Sequence, residues 1–259
     1  MLNKSFGFIG GGRVAKILLQ AMNNKGMMPA EIVVSDVNAD VLEKLQNQFP
    51  KIKVTQSNVE PAKCDYVFIS LHPPVLAQTL NDVNSHINHE AIVISLAPKI
   101  TIEKIENILG KDSKVVRMIP NAPSIINQGY NPVVYSKNIS AEEKSELALL
   151  FEIFGEYPEV DEYNLEGYAI LTAMGPTYLW FQLHQLQELG SYFGLTDEEL
   201  KKGIPAMVKG AVDTMFESGL NCNEIIDLIP VKPLANNEES IVNMYRNNLT
   251  TLFDKLKNQ

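Results

Sequence analysis

Phe6-Gly7-Phe8-Ile9-Gly10-Gly11-Gly12-Arg13-Val14-Ala15 is the stretch that decides the fold. A short apolar run ends in Gly10-x-Gly12-x-x-Ala15, and an apolar helical pattern follows at once. This is the form of a strand, a tight turn and a helix that opens onto a pyrophosphate. Gly10 permits the turn, Gly12 allows close backbone approach, and Ala15 lets the helix pack on the strand. The start of the helix, Gly12-Arg13-Val14, offers unpaired N–H groups and a partial positive charge to an anion. Glu31-Ile32-Val33-Val34-Ser35-Asp36 reads as the second strand, with an acid at its end. Asp36 falls about 20 residues on, where such folds place the group that meets the adenosine ribose.

Working outward, strands are expected at 5–9, 31–35, 66–71, 91–95, 114–118 and 132–135. Helices are expected at 13–24, 38–48, 73–86, 101–109 and 141–154. Such alternation specifies βαβ units and a mostly parallel sheet, with ligands beyond the carboxyl ends of the strands. After Asp161 no β-branched run is evident. Helical segments follow at 163–193, 197–218, 222–228 and 237–257, with Thr196 as an N-cap and Gly194 or Gly219 as closing residues. The expected organisation is α/β: a dinucleotide-binding domain over 1–160 and an all-helical domain over 161–259.

The chain has 259 residues, 45% of them hydrophobic, enough to bury a sizeable core. A formal charge of −9 argues against nucleic acid or an anionic membrane as partner. The most apolar stretch, Tyr163 to Phe193, carries Glu166, His184 and Glu188, which suits a helix in a domain or subunit interface better than a membrane span. Two distant cysteines, Cys64 and Cys222, and no targeting peptide suggest reduced thiols in a cytoplasmic protein. The histidines and cysteines show no metal-ligand spacing, and no metal is expected.

Other segments lie where a site is expected. Asn121, between Pro120 and Pro123, can present a donor and an acceptor at a strand's carboxyl end, to a carboxamide or a small substrate. His72 precedes two prolines after the third expected strand; it either lines the crevice or is an ordinary loop histidine. His184 is expected to be a satisfied buried histidine. Gly175-Pro176-Thr177-Tyr178 interrupts a helix, either as a packing kink or as a break whose N–H groups hold a carboxylate. Lys232, in the stiff loop Ile229–Leu234, is either a surface charge or a partner for an anionic group.

Together these segments resemble the pyrroline-5-carboxylate reductase family nearly end to end. Phe8–Gly12 is similar to its opening, Val115–Pro123 to its Arg-x-Met-Pro-Asn-Thr-Pro segment, and Gly175–Tyr178 to its Gly-Pro-Ala-Tyr break. The resemblance implies a Rossmann domain followed by a helical dimerisation domain, and a homodimer or higher oligomer. It implies hydride transfer from NAD or NADP in reduced form to an anionic cyclic imine, as in proline biosynthesis. It also implies that Asn58, Leu71, His72 and Pro73 line the cofactor, with Asn121 near the nicotinamide, beside Gly10, Gly12, Arg13, Val14 and Asp36. Asn121, Gly175, Thr177 and Lys232 are the candidate substrate groups, and no proton donor is nominated. Asp36, followed by Val37 rather than arginine, favours NAD by repelling a 2′-phosphate.

Departures from the family pattern are His72-Pro73-Pro74 for Lys-Pro-Gln, Pro98-Lys99 for Ala-Gly, and Thr172-Ala173-Met174 for Ser-Gly-Ser. The substrate loop Ser-Pro-Gly-Gly-Thr-Thr is replaced by Ile229-Pro230-Val231-Lys232-Pro233-Leu234. The alternatives are therefore a relative acting on a different imine or small acid, or a non-catalytic nucleotide-binding protein.

Overall fold

The computed structural model describes residues 4–257; the outer limits of the two expected domains, residues 1 and 259, lie outside them, as does the Pro74 side chain. Strand β1 (Phe6–Ile9) runs through the glycine turn into α1 (Arg13–Asn24). There follow β2 (Ile32–Ser35), α2 (Ala39–Gln48), β3 (Lys53–Thr55), α3 (Val59–Ala62), β4 (Tyr66–Ile69), α4 (Pro73–Val83), β5 (Ile92–Ser95), α5 (Ile102–Leu109) and β6 (Lys114–Met118). A 3-10 turn at Ala122–Ile126 leads to β7 (Gly129–Tyr130), β8 (Val133–Tyr135), α6 (Ala141–Phe151) and β9 (Gly155–Glu156). Next come α7 (Leu165–Tyr168), a π-helical turn over Ala169–Ala173, α8 (Pro176–Tyr192), α9 (Asp197–Glu217), α10 (Cys222–Asp227) and α11 (Ala235–Lys257).

The main sheet has the order β3-β2-β1-β4-β5-β6-β8. All neighbours are parallel except β8, which runs antiparallel to β6. Chain order thus reverses between β1 and β4, the switch point at which doubly wound sheets bind ligands, and the expected Rossmann fold is present. The first strands are apolar on both faces because helices cover both. One face carries Phe6, Phe8, Val34 and Val116 against Leu18, Leu19, Met22 and Phe151; the other carries Ile9, Val67, Ile69 and Val93 against Leu76, Leu80 and Ile105. Register places Phe6 opposite Tyr66 and Phe8 opposite Phe68, and the latter rings stack at 4.5 Å. Such a pair adds about 0.5–1.5 kcal/mol beyond its burial.

Strand β3 was not expected: it is short, half-exposed and opens with Lys53, so its apolar signal is weak. The expected helix at 73–86 ends at Val83 and tightens into a 3-10 turn over Asn84–His86. The expected helix at 163–193 is three pieces, α7, the π turn and α8. Ser140 and Thr196 cap α6 and α9, each in a reciprocal box with the glutamate three residues on.

Contacts divide the chain between Met174 and Gly175 and again between Leu252 and Phe253. The first division falls later than the expected 160/161, because Leu165 and Ala169 pack with Ile119 as part of the first unit's core. Within the second unit, Gly190 of α8 lies under Leu200 of α9, so closely that a Cβ would fall on its Cδ2. Much of this unit's apolar surface faces solvent: Trp180 is 52%, Phe181 67% and Phe216 81% exposed. The α8 part of the apolar stretch to Phe193 is therefore largely not buried by the chain itself. His184, expected to be buried, is a surface residue of α8 with Nε2 3.8 Å from Glu188; apolar neighbours in sequence do not bury a residue on a helix with an open face.

Among the described residues, no helix is long and apolar enough to cross a membrane, and no cluster of His, Cys, Asp or Glu could hold a metal. Cys64 is buried and Cys222 exposed; burial pushes the Cys64 thiol up to about 11.

Candidate functional site

The glycine turn stands at the carboxyl end of β1. Gly10 has φ +100° and a Cβ there would lie 2.7 Å from the Ser70 carbonyl oxygen, so both conformation and space require glycine. Its N–H donates to the Ser35 carbonyl at 2.9 Å, tying the turn to the end of β2. The Gly11 N–H donates to Asp36 Oδ2 at 2.9 Å, while Asp36 Oδ1 accepts from the Asn38 N–H at 2.9 Å. Asp36 is thus both the acid at the end of β2 and a brace for the turn. Gly12 is exposed, and no atom lies within 4 Å of where its Cβ would be. The first bond of α1 runs from the Lys16 N–H to the Gly12 carbonyl at 3.1 Å, so the Arg13, Val14 and Ala15 N–H groups precede the helical ladder.

The arrangement fits a dinucleotide. Gly12 leaves an open face, the first-turn N–H groups of a twelve-residue helix point out of it, and the acid stands one strand away. The hydroxyl oxygens of Ser70, just past β4, and of Ser95, ending β5, are buried without a hydrogen-bond partner among the described residues. Buried polar atoms are normally satisfied, and these two lie on the edge the nicotinamide half would follow.

Other expected residues take up more local roles. Asn58 precedes α3 and accepts the Ser35 hydroxyl on Oδ1 at 2.7 Å, on the same edge as Asp36. Leu71 is half-buried in the β4–α4 loop, with its Cδ2 facing Gly10. His72 is exposed as the N-cap of α4, making no side-chain cap bond, and Pro73 opens that helix. Asn121 is buried: Oδ1 accepts the Tyr130 N–H at 3.1 Å and Nδ2 donates to the Thr172 carbonyl at 3.4 Å. Asn121 thus shapes the loop after β6 with one lone pair and one N–H of an amide that has two of each.

Two buried groups were missed. Asn131 accepts the Asn121 N–H at 3.0 Å and the Ser124 hydroxyl at 2.9 Å on one oxygen, fixing the same loop. Arg117 on β6 is fully buried; Nη1 donates to Glu162 Oε1 and Nη2 to Glu166 Oε1, each at 2.8 Å. A charged residue inside a β-branched strand is the signal that could have revealed it, since buried arginine demands partners. Burial works to raise the Glu166 carboxyl, but its bond and charge contact with Arg117 and the Lys99 N–H outweigh this and hold it below the ordinary glutamate value.

Gly175, Thr177 and Lys232 belong to the second unit. Gly175 precedes α8 in helical conformation; Thr177 lies in its first turn. The helix break falls where expected: the π turn over Ala169–Ala173, with the Met174 N–H on the Ala169 carbonyl, ends before Met174–Gly175, and α8 starts afresh at Pro176. Thr177 lines a groove of about 430 Å³ with Tyr178, Phe181, Met244 and Tyr245. Lys232 stands exposed between α10 and α11 and is not one of that groove's walls.

A family model described as NADP oxidoreductase, coenzyme F420-dependent, matches residues 5–99. The pyrroline-5-carboxylate reductase of Escherichia coli (strain K12) is 24% identical over 230 residues, covering 88% of this chain and 85% of that protein. The corresponding Pseudomonas aeruginosa reductase is 24% identical over 97% of this chain and 92% of its own. A crystal structure of Plasmodium falciparum pyrroline carboxylate reductase with NADP bound superposes with a TM-score of 0.82 at 22% identity, covering 99% of this chain and 98% of that one. The Coxiella burnetii pyrroline-5-carboxylate reductase gives 0.69 at 26% identity, covering 98% and 94%.

Proposed function

We propose, because the chain belongs to the pyrroline-5-carboxylate reductase family, that it is an NAD(P)H-dependent oxidoreductase that reduces the C=N bond of pyrroline-5-carboxylate, as in proline biosynthesis. The observation that carries this reading is the open Gly12 cradle beside Asp36 at the switch point, in a chain matching these reductases along nearly its whole length. The bound dinucleotide supplies the hydride. The N–H groups of Gly12, Arg13 and Val14 would hold its pyrophosphate, and Asp36 would accept from its adenosine ribose. Leu71, His72 and Pro73 would wall the crevice past β4. Asn58 and Asn121 support that edge through Ser35 and through the loop after β6.

The imine protonated in solution needs little acid assistance, so orientation and water exclusion would supply most of the rate. Gly175, Thr177 and Lys232 are the groups proposed for the carboxylate. Lys232 would replace, by charge, the glycine backbone and threonine hydroxyls that the Ile229–Leu234 loop lacks. Asp36 is already fixed by two backbone N–H groups, so its charge cannot swing away from a 2′-phosphate, and NADH is the proposed preference. The exposed apolar face of the second unit supports a homodimer or larger homo-oligomer, and the two unpaired thiols suit the cytoplasm.

The test is oxidation of NADH and of NADPH, in parallel, with pyrroline-5-carboxylate at neutral pH. Turnover with NADH ahead of NADPH is expected, and an Asp36→Ser variant should narrow the difference. Folded protein that binds NADH without turnover would overturn the substrate assignment.

A further inference from the structure

We propose that Arg117, Glu162 and Glu166 are positioning residues that set the backbone of the loop after β5, through the N–H of Lys99, for dinucleotide binding. The inference rests on reading the carboxyl edge of the sheet as the dinucleotide site. Both carboxylates that neutralise Arg117 spend the same oxygen twice. Glu166 Oε1 also accepts the Lys99 N–H at 3.2 Å, and Glu162 Oε1 also accepts the Ile102 N–H at 2.8 Å. The two N–H groups bracket the entry to α5, so β6, the α7 segment and the β5–α5 loop meet at one buried guanidinium.

Lys99 has φ +74°, left-handed backbone that a non-glycine residue adopts at a cost. Among the described non-glycine residues, only Asn127 shares this sign of φ. Asn127 suits it, and its amide donates to the Ala21 and Ile153 carbonyls. Lysine has no such affinity for the conformation, which persists here with its N–H held by Glu166. The loop it ends begins at Leu96, whose N–H donates to the Ile69 carbonyl at 3.1 Å, extending the pairing of β4 and β5 toward the switch point. The Leu96–Lys99 backbone is therefore a wall on the nicotinamide side of the crevice, and its course depends on Glu166. A buried ion cluster contributes little stability over an apolar replacement, so what it fixes in space is the more telling property.

The test is a set of four proteins: wild type, Glu166→Ala, Lys99→Gly, and the double variant. Each is titrated with NADH by fluorescence and melted without ligand. Glu166→Ala is expected to weaken NADH binding about tenfold, the range of coupling between residues in contact. Lys99→Gly alone carries whatever the lysine side chain contributes and is the reference against which the double variant is read. The double variant should regain most of the loss, because glycine adopts the left-handed conformation unheld, while its Tm stays low because Arg117 still lacks one of its two carboxylates. If Glu166→Ala fails to fold, Glu166→Gln replaces it: the retained amide oxygen should preserve binding while Tm falls. A Glu166→Ala variant that loses Tm but binds NADH as wild type does, a Glu166→Gln variant that loses NADH binding, or a double variant as weak as Glu166→Ala, overturns the proposal. Wild type that binds neither NADH nor NADPH overturns it together with the dinucleotide reading. Wild type that binds NADH but leaves pyrroline-5-carboxylate unreduced sinks only the substrate assignment, and the four-way comparison still decides the clamp.

Discussion

At the scale of single residues, the site is a set of positions where one atom more or less changes the outcome. Gly10→Ala adds a methyl group toward the Ser70 carbonyl at φ +100°. It should cost about 1–2 kcal/mol of stability from backbone handedness alone, read by urea denaturation, and should abolish NADH binding in a fluorescence titration. Gly10 was legible in the sequence because its requirement is local: a turn between a strand and a helix. Asn121 was legible only as a position. Its partners Tyr130 and Thr172 come from β7 and the π turn, and nothing in the spacing of Pro120 and Pro123 announces these bonds. Arg117 was quoted as part of a motif without a role, since its two glutamates lie on an element whose approach depends on the finished fold.

Among elements, the tie between β6 and the Glu162–Glu166 segment is the one most exposed to test. Arg117→Leu leaves Glu162 and Glu166 without their counter-charge and should cost about 3–5 kcal/mol, seen as a lowered urea midpoint. The sign of the pH dependence follows from Glu166, whose carboxyl is held below its ordinary value in the folded protein. The stability it contributes is complete above about pH 5, beyond the unfolded value, and is lost as pH falls through the lowered folded value. Tm should therefore fall as acid is added from about pH 5 to pH 3.5, and Glu166→Gln should flatten that fall. The parallel strands were readable because strands buried on both faces become unbroken β-branched and aromatic runs. Lys53–Thr55 was not, being a half-exposed edge. In the segment 163–193 the break at Gly175-Pro176 was readable from those residues, while the π turn before it was not, because π and α turns share nearly the same apolar period.

For the whole molecule, the second unit's exposed Trp180, Phe181, Tyr192, Phe193 and Phe216 far exceed what a monomer comfortably shows to water. Light scattering should report at least a dimer, and Phe181→Glu with Phe216→Glu should shift it toward monomer; a monomeric wild type at micromolar concentration would remove the oligomer from the proposal. That surface was half legible: the sequence showed the apolar run, while helical geometry decided which residues stayed uncovered. The two thiols, one buried with its pKa pushed up to about 11 and one exposed, add a stopwatch to the fold. An alkylating reagent near neutral pH should mark Cys222 within its mixing time and leave Cys64 untouched until the edge between α3 and β4 opens. The delay between the two adducts, counted by mass, would time the breathing of the nucleotide domain in the native protein, and a bound dinucleotide should lengthen it.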